Sequence, residues 1–224
     1  MSTITTDYTE SAQINTLCAA PLTRYRFAHW LCDVVRNFMS DPEHIRDERL
    51  RGLLWPQDGI EPDNCRASFQ VGLPLAHDSR KACVTPALLV SAGQQTYPAS
   101  FINAGVAAEE TVTGIGAMYE GTAVRQVAGK IAVVTESLDG TLLLCDMLED
   151  YLVAAGPLLQ SDGMVQKLTL EGSSEPAMIR VGEAANAKEL FQSVIGVTAA
   201  GGITWTTDTQ GPVYRGVTES AGLA

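Results

Sequence analysis

Basic residues are scarce in this sequence: 15 Lys and Arg stand against 26 Asp and Glu, a net charge of −11 over 224 residues. Affinity for nucleic acid rests mainly on Lys and Arg neutralising phosphates, so this balance argues against a surface that grips DNA or RNA. An acidic protein can still sit beside DNA whose task is to slide past, because like charge prevents sticking. Cysteine is also sparse. Cys18, Cys32, Cys65, Cys83 and Cys145 are scattered, odd in number and never spaced as CxxC. A disulfide framework or a zinc cluster needs paired, tighter spacing, so these read as buried free thiols. No run of roughly 18 apolar residues exists to span a bilayer. The polar, acidic start MSTITTDYTESAQ lacks the basic and apolar segments of a signal peptide, so a cytoplasmic chain is expected.

Catalytic and cofactor motifs are missing as well. There is no GxxxxGK[ST], HExxH, GxSxG or calcium-loop pattern. Gly114-Ile115-Gly116 lacks the third glycine of a dinucleotide fingerprint and leads into a strand pattern rather than a helix. His29 and His44 lie alone, without a Cys or carboxylate at metal spacing. His77-Asp78-Ser79 is the one tempting trio. Triads are assembled from separate elements, however, and neighbours in a loop rarely aim at one centre. The expectation is therefore no catalytic, cofactor-binding or metal-binding residue, and no cofactor.

What is present is scaffold. Gly129 to Pro157 reads as a buried strand over Lys130 to Glu136, a break at Leu138-Asp139-Gly140, and an amphipathic helix stopped by Gly156-Pro157. Leu144, Met147, Leu148, Tyr151 and Ala155 recur at helical spacing, with Asp146, Glu149 and Asp150 mainly opposite. Ser137 or Asp139 supplies the N-cap. Earlier in the chain, Phe27, Leu31, Val34, Val35 and Phe38 share a face of a helix opened by Pro21 and ended by Ser40-Asp41-Pro42. A second, charged helix is expected from Glu43 to about Leu54. The interleaved Arg24, Arg26, Arg46, Arg49 and Arg51 suit ion pairs between subunits.

Short strands fill the rest. They are expected over Ala67 to Val71, Val84 to Ala92, Gln95 to Ile102, Thr111 to Val127, Leu190 to Thr198 and Ile203 to Thr207. Met164 to Leu170 and Ala177 to Val181 read as a hairpin through Glu171-Gly-Ser-Ser174. Asn103 to Glu110 reads as a turn and loop. The fold class expected is α+β: a mixed, mostly antiparallel sheet against one long and one or two shorter helices. Residues 1–20 form a flexible or partner-docked arm, 21–217 a single domain with an extended loop region near 56–82, and 218–224 a tail.

Tyr25 to Phe38, Val84 to Tyr97, Gly129 to Leu152 and Phe191 to Tyr214 follow one another in an order that resembles the tail terminator and neck proteins of tailed bacteriophages. The resemblance lies in the pattern of elements, and the chain exceeds compact members by its arm and the 56–82 region. It implies a virion structural protein, located in host cytoplasm during assembly and then in tail or neck. Such a protein forms a homo-hexameric ring that caps the tail tube and docks on a neck or connector protein. DNA would pass through without specific binding, and no membrane is involved. Trp55 and the 72–81 loop, with His77, Asp78, Arg80 and Lys81 in it, are the expected subunit contacts, with the arm meeting neck or tube. Two other readings stay open: a different neck or tail-tube component, and a small-molecule enzyme with an inter-subunit site using His77, Asp78 and Arg80.

Overall fold

Thr23 opens the first helix by accepting from the Arg26 amide at 3.2 Å, leaving α1 to run over Arg24–Met39. Its closing turn is held by the Ser40 amide on the Arg36 carbonyl at 2.9 Å. The computed structural model describes residues 13–17, 22–56, 61, 64–76, 78–79, 83–97, 111–113, 116–159, 164–182 and 187–210. Phe27, Leu31 and Val35 are buried as their spacing predicts, joined by Ala28, Cys32 and Met39, while Val34 and Phe38 are half-buried. The next helix begins later than expected. Asp47 accepts from the amides of Arg49 and Leu50, so α2 is Glu48–Leu54. Residues 41–46 form a turn that Arg51 pins through the carbonyls of Pro42 and Ile45. That use of Arg51 is internal, where a subunit ion pair is expected from sequence.

The chain divides into two units, each described by itself. The larger holds residues 22–96 and 125–201. The smaller comprises residues 1–21, 97–124 and 202–224.

The fold is mixed α+β, as the sequence pattern predicts. The strands are β1 Gln13–Leu17, β2 Ser68–Val71, β3 Asp78–Ser79, β4 Ala87–Thr96, β5 Thr111–Thr113, β6 Gly116–Thr135, β7 Lys167–Ser173, β8 Ala177–Val181 and β9 Lys188–Gln210. The last helix, here α3, spans Leu138–Leu159. In the larger unit the sheet order is β2-β4-β6-β9-β8-β3, with β7 also on β9. Only β2 with β4 and β3 with β8 are parallel among the registered pairs.

Three strand breaks expected from sequence do not exist. Ala92 and Gln95 belong to one strand, β4, whose register shifts between them. The segments around Val127 and Lys130 are one strand, β6. Those around Thr198 and Ile203 are one strand, β9. Glycine accounts for the last two differences. A Cβ on Gly129 would stand 2.6 Å from the Phe27 ring, and one on Gly201 would meet the Met164 carbonyl and Leu22. Glycine here admits a close neighbour without ending the strand.

The expected hairpin of β7 with β8 is also absent. Both lie end to end along β9, with Ser173 facing Ile195 and Ala177 facing Gln192. Three residues of this edge, 174–176, therefore oppose two of β9. Ser174 bridges the joint. Its amide donates to the Val194 carbonyl, its Oγ accepts from the Val194 amide, and its carbonyl accepts from Ser193 Oγ.

The sheet buries both faces. Leu88, Val90, Ile131, Val133, Ile195 and Val197 meet the helices. On the other side Ala87, Leu89, Ala132, Val134, Ile179, Val181 and Leu190 form a second cluster. α1 packs over β4 and β2, whereas α3 packs over β7. Phe38 of α1 stacks on Tyr151 of α3, ring centroids 3.7 Å apart.

In the smaller unit, β5 pairs antiparallel with β6, Thr113 facing Gly116. β1 pairs antiparallel with β9, Leu17 facing Trp205. Residues 13–17 of the expected arm are thus a sheet strand. The rest of the arm, the 103–110 loop, Gly114-Ile115 and the 218–224 tail lie outside the described residues.

Candidate functional site

The turn between β6 and α3 is a polar knot that fixes the helix. Ser137 is the cap, accepting from the Gly140 amide at 3.1 Å. Thr135 Oγ1 lies 2.9 Å from Thr141 Oγ1, and both hydroxyls stand within hydrogen-bond reach of the Ser137 carbonyl. Thr141 reaches the Phe191 carbonyl as well. A Cβ on Gly140 would approach Ser137 Oγ at 2.8 Å, so glycine lets the helix start close against this knot. Every hydroxyl is spent on structure. α3 then continues through Pro157 to Leu159, beyond the expected stop. The ring of Pro157 removes the amide that would bond the Val153 carbonyl, so the last turn carries one more carbonyl without an intrahelical donor.

Burial pushes the Cys145 thiol up from 9.0 to about 11; a Ser193 hydrogen bond opposes this, and the charges of Glu149 and Asp146 reinforce it. Cys32, Cys65 and Cys83 are likewise raised, chiefly by burial. Such thiols stay protonated and inert near neutral pH. Among the described residues, no group of three or more His, Cys, Asp and Glu converges as metal ligands would. No helix among them is long and apolar enough to cross a membrane.

The residues expected at subunit contacts separate. Trp55 is 1% exposed, inside the core that α1, α2 and α3 share with the sheet. Its Nε1 donates to the Glu61 carbonyl at 2.9 Å, so the indole is enclosed by its own protomer and is not offered to a neighbour. Asp78 lies in β3, paired in register with Arg180 of β8. His77, Arg80 and Lys81 lie outside the described residues. The expected 56–82 loop region also has an internal task. Leu75 and Cys83 pack on the second cluster. Gln192 of β9 clasps Leu75 at both ends, its Oε1 accepting from the Leu75 amide at 2.9 Å and its Nε2 donating to the Leu75 carbonyl at 3.2 Å. This side chain imitates the paired bonds of a neighbouring strand and holds the segment across the sheet.

Neither protein-family models nor curated proteins match this chain. Its surfaces therefore speak for themselves.

Two stand out, at opposite edges of the larger unit's sheet. At one edge, an apolar groove of about 220 Å³ opens between the end of α3 and β7, lined by Leu152, Val153, Gly156, Pro157, Leu168, Leu170 and Val197. Asp146 and Asp150 are exposed on α3 nearby, and neither makes an ion pair among the described residues. Among the described residues, Glu149 Oε1 is buried without a hydrogen-bond partner. Residues 131–166 contain six Asp and Glu but no Lys or Arg. At the other edge stands β2, preceded by exposed Arg66 and ending at Val71, with exposed Leu73 two residues beyond it. Arg36 of α1 lies over Phe69 there, 6.0 Å from the ring centroid, and donates to the Phe69 carbonyl. Sequence reading includes Leu73 only as part of the 72–81 loop expected at subunit contacts and assigns no role to Val153. The signal present in the sequence is an aliphatic residue where periodicity calls for a polar one: Val153 continues the acidic face of α3 at seven residues from Asp146 and three from Asp150.

Proposed function

We propose that the chain is a non-enzymatic structural subunit of a tailed-phage virion, a ring-former of the tail-terminator kind that caps the tail tube and presents a docking face to the neck. The observation that carries this reading is the sheet's two unlike sides, β2 under α1 on one and, on the other, β7 beneath α3 in line with β8, which carries the short β3; among the described residues no further strand pairs with β2 or β7. A subunit with two unlike sides of this kind is built for repeated association, since a head-to-tail contact closes into a ring when its rotation permits. The acid surplus suits a conduit, because a negative lumen repels the DNA backbone during passage. The polar Thr135–Ser137–Thr141 knot and the raised thiols serve packing and supply no reactive group, which favours scaffold over enzyme.

Light scattering on the purified protein, with negative-stain images of the same peak, tests the reading. A closed six-fold ring, formed alone or on addition of tail tubes, is the expected result. Open-ended tubes would replace the terminator with a tube component. A monomer or dimer indifferent to tail tubes overturns the proposal.

A further inference from the structure

We infer that copies of this chain join head to tail, the β2 edge of one copy seating Val71, Leu73 and Arg66 on the α3–β7 face of the next. The inference rests on the ring reading above and names the contact that would build the ring.

Position comes first. α1 covers β4 and β2, while α3 covers β7, so the two surfaces belong to opposite margins of one layer. A patch and its complement on opposite margins cannot satisfy each other within one copy. They meet only between copies, and the contact is heterologous.

Chemistry supplies the match. Leu73 is 77% exposed, Val71 44% and Val153 65%, and Val153 borders a groove with room for an aliphatic side chain. Burying such side chains against each other is favourable in proportion to the apolar area removed from water. Around the apolar centre the charges are complementary: Arg66 on the β2 side, Asp146 and Asp150 on the α3 side. Among the described residues no base is ion-paired with either carboxylate. An apolar centre with charges at its rim is the usual anatomy of a specific interface, and the rim charges set orientation more than strength. Nucleic acid would be a poor occupant of the acidic face, and a basic partner would leave the β2 edge unexplained. A second copy accounts for both surfaces at once.

Sedimentation velocity, run with and without tail tubes, compares the wild type with Leu73→Glu, Val153→Glu and an equimolar mixture of the two. Each variant alone is expected to remain monomeric where the wild type forms rings, with association at least about tenfold weaker. The mixture is expected to form dimers and nothing larger. The Val153→Glu copy keeps an intact β2 edge, and the Leu73→Glu copy keeps an intact α3–β7 face, so one contact per pair survives, while the other would set the two introduced carboxylates against each other. Both side chains are exposed, so the wild-type far-UV spectrum and melting temperature should persist. If either variant unfolds, the exposed substitutions Arg66→Glu and Asp150→Ala take its place in the same design. Wild-type rings from both variants, or a mixture that stays monomeric, would overturn this contact while leaving the ring reading intact. A wild type that stays monomeric even with tail tubes would remove the ring reading itself, and this contact with it.

Discussion

Gly129 and Gly201 sit in the middle of long strands, where glycine is normally a weakness. Each is there because something else occupies the space of its side chain. At Gly129 the neighbour is the edge of the fully buried Phe27 ring, 2.6 Å from where a Cβ would stand, so a side chain has to give way; at Gly201 it is the Met164 backbone carbonyl, a closer approach by main chain. Overpacking typically costs about 1–3 kcal/mol. Gly129→Ala should fall within that range in urea unfolding, and Gly201→Ala should lie at its top or beyond. Equal, negligible losses would mean that neither approach is tight. Cys145 gives a second prediction at this scale. Its folded pKa is raised, so below pH 9 both folded and unfolded thiols are protonated and the stabilisation is complete. As pH rises toward 11 the unfolded thiol ionises first, and stability drains away. The wild type should lose about 2 kcal/mol more than Cys145→Ala between pH 8 and pH 10.5, because each tenfold difference in proton affinity between the folded and unfolded thiol is worth about 1.4 kcal/mol. Matching urea midpoints for the two proteins across that range would refute it.

At the scale of elements, the helices are legible in the sequence and the sheet only partly so. Helix periodicity is local, so the buried face of α1, the apolar face of α3 and the Ser137 cap all follow from a few neighbouring residues. Strand continuity is not local. Whether Gly129 or Ala199-Ala-Gly-Gly202 ends a strand depends on Phe27, Leu22 and Met164, which lie far away in sequence. The pairing of β7 and β8 is hidden for a similar reason: a turn-rich link looks like a hairpin unless the partner strand, β9, is already known. Residues 72–76 show no pattern of their own, because the hydrogen bonds that hold Leu75 come from one glutamine over a hundred positions away. Removing that anchor should be informative. Gln192→Ala is expected to cost about 1–2 kcal/mol for two lost hydrogen bonds and to speed amide exchange at Leu75. Gln192→Glu, which still accepts from the amide but no longer donates to the carbonyl, should fall between. Unchanged exchange in both variants would show that apolar packing alone holds the segment.

For the whole molecule, charge and topology point the same way. The acid surplus seen in composition is concentrated on residues 131–166, and the sheet margin opposite α3 carries exposed Arg66 as well as Arg36, which is already ion-paired with Asp33. Composition reveals the surplus but not its placement, which is why the candidate surfaces are invisible until the fold is known. If the ring forms through the Arg66–Asp146/Asp150 rim, it should loosen in sedimentation as salt rises, since exposed pairs are screened within about 10 Å at 0.1 M and about 3 Å at 1 M. It should not dissolve outright, because Val71, Leu73 and Val153 are indifferent to screening. The end-to-end arrangement of β7 and β8 has a further consequence for how the molecule reaches this form. A slip of one residue along β9 would turn Ile179 and Val181 out of their cluster, or Leu168 and Leu170 out of theirs. The three-against-two joint at residues 174–176 separates those two errors. Each half of the edge can be checked against its own cluster, and a mistake in one is corrected without undoing the other.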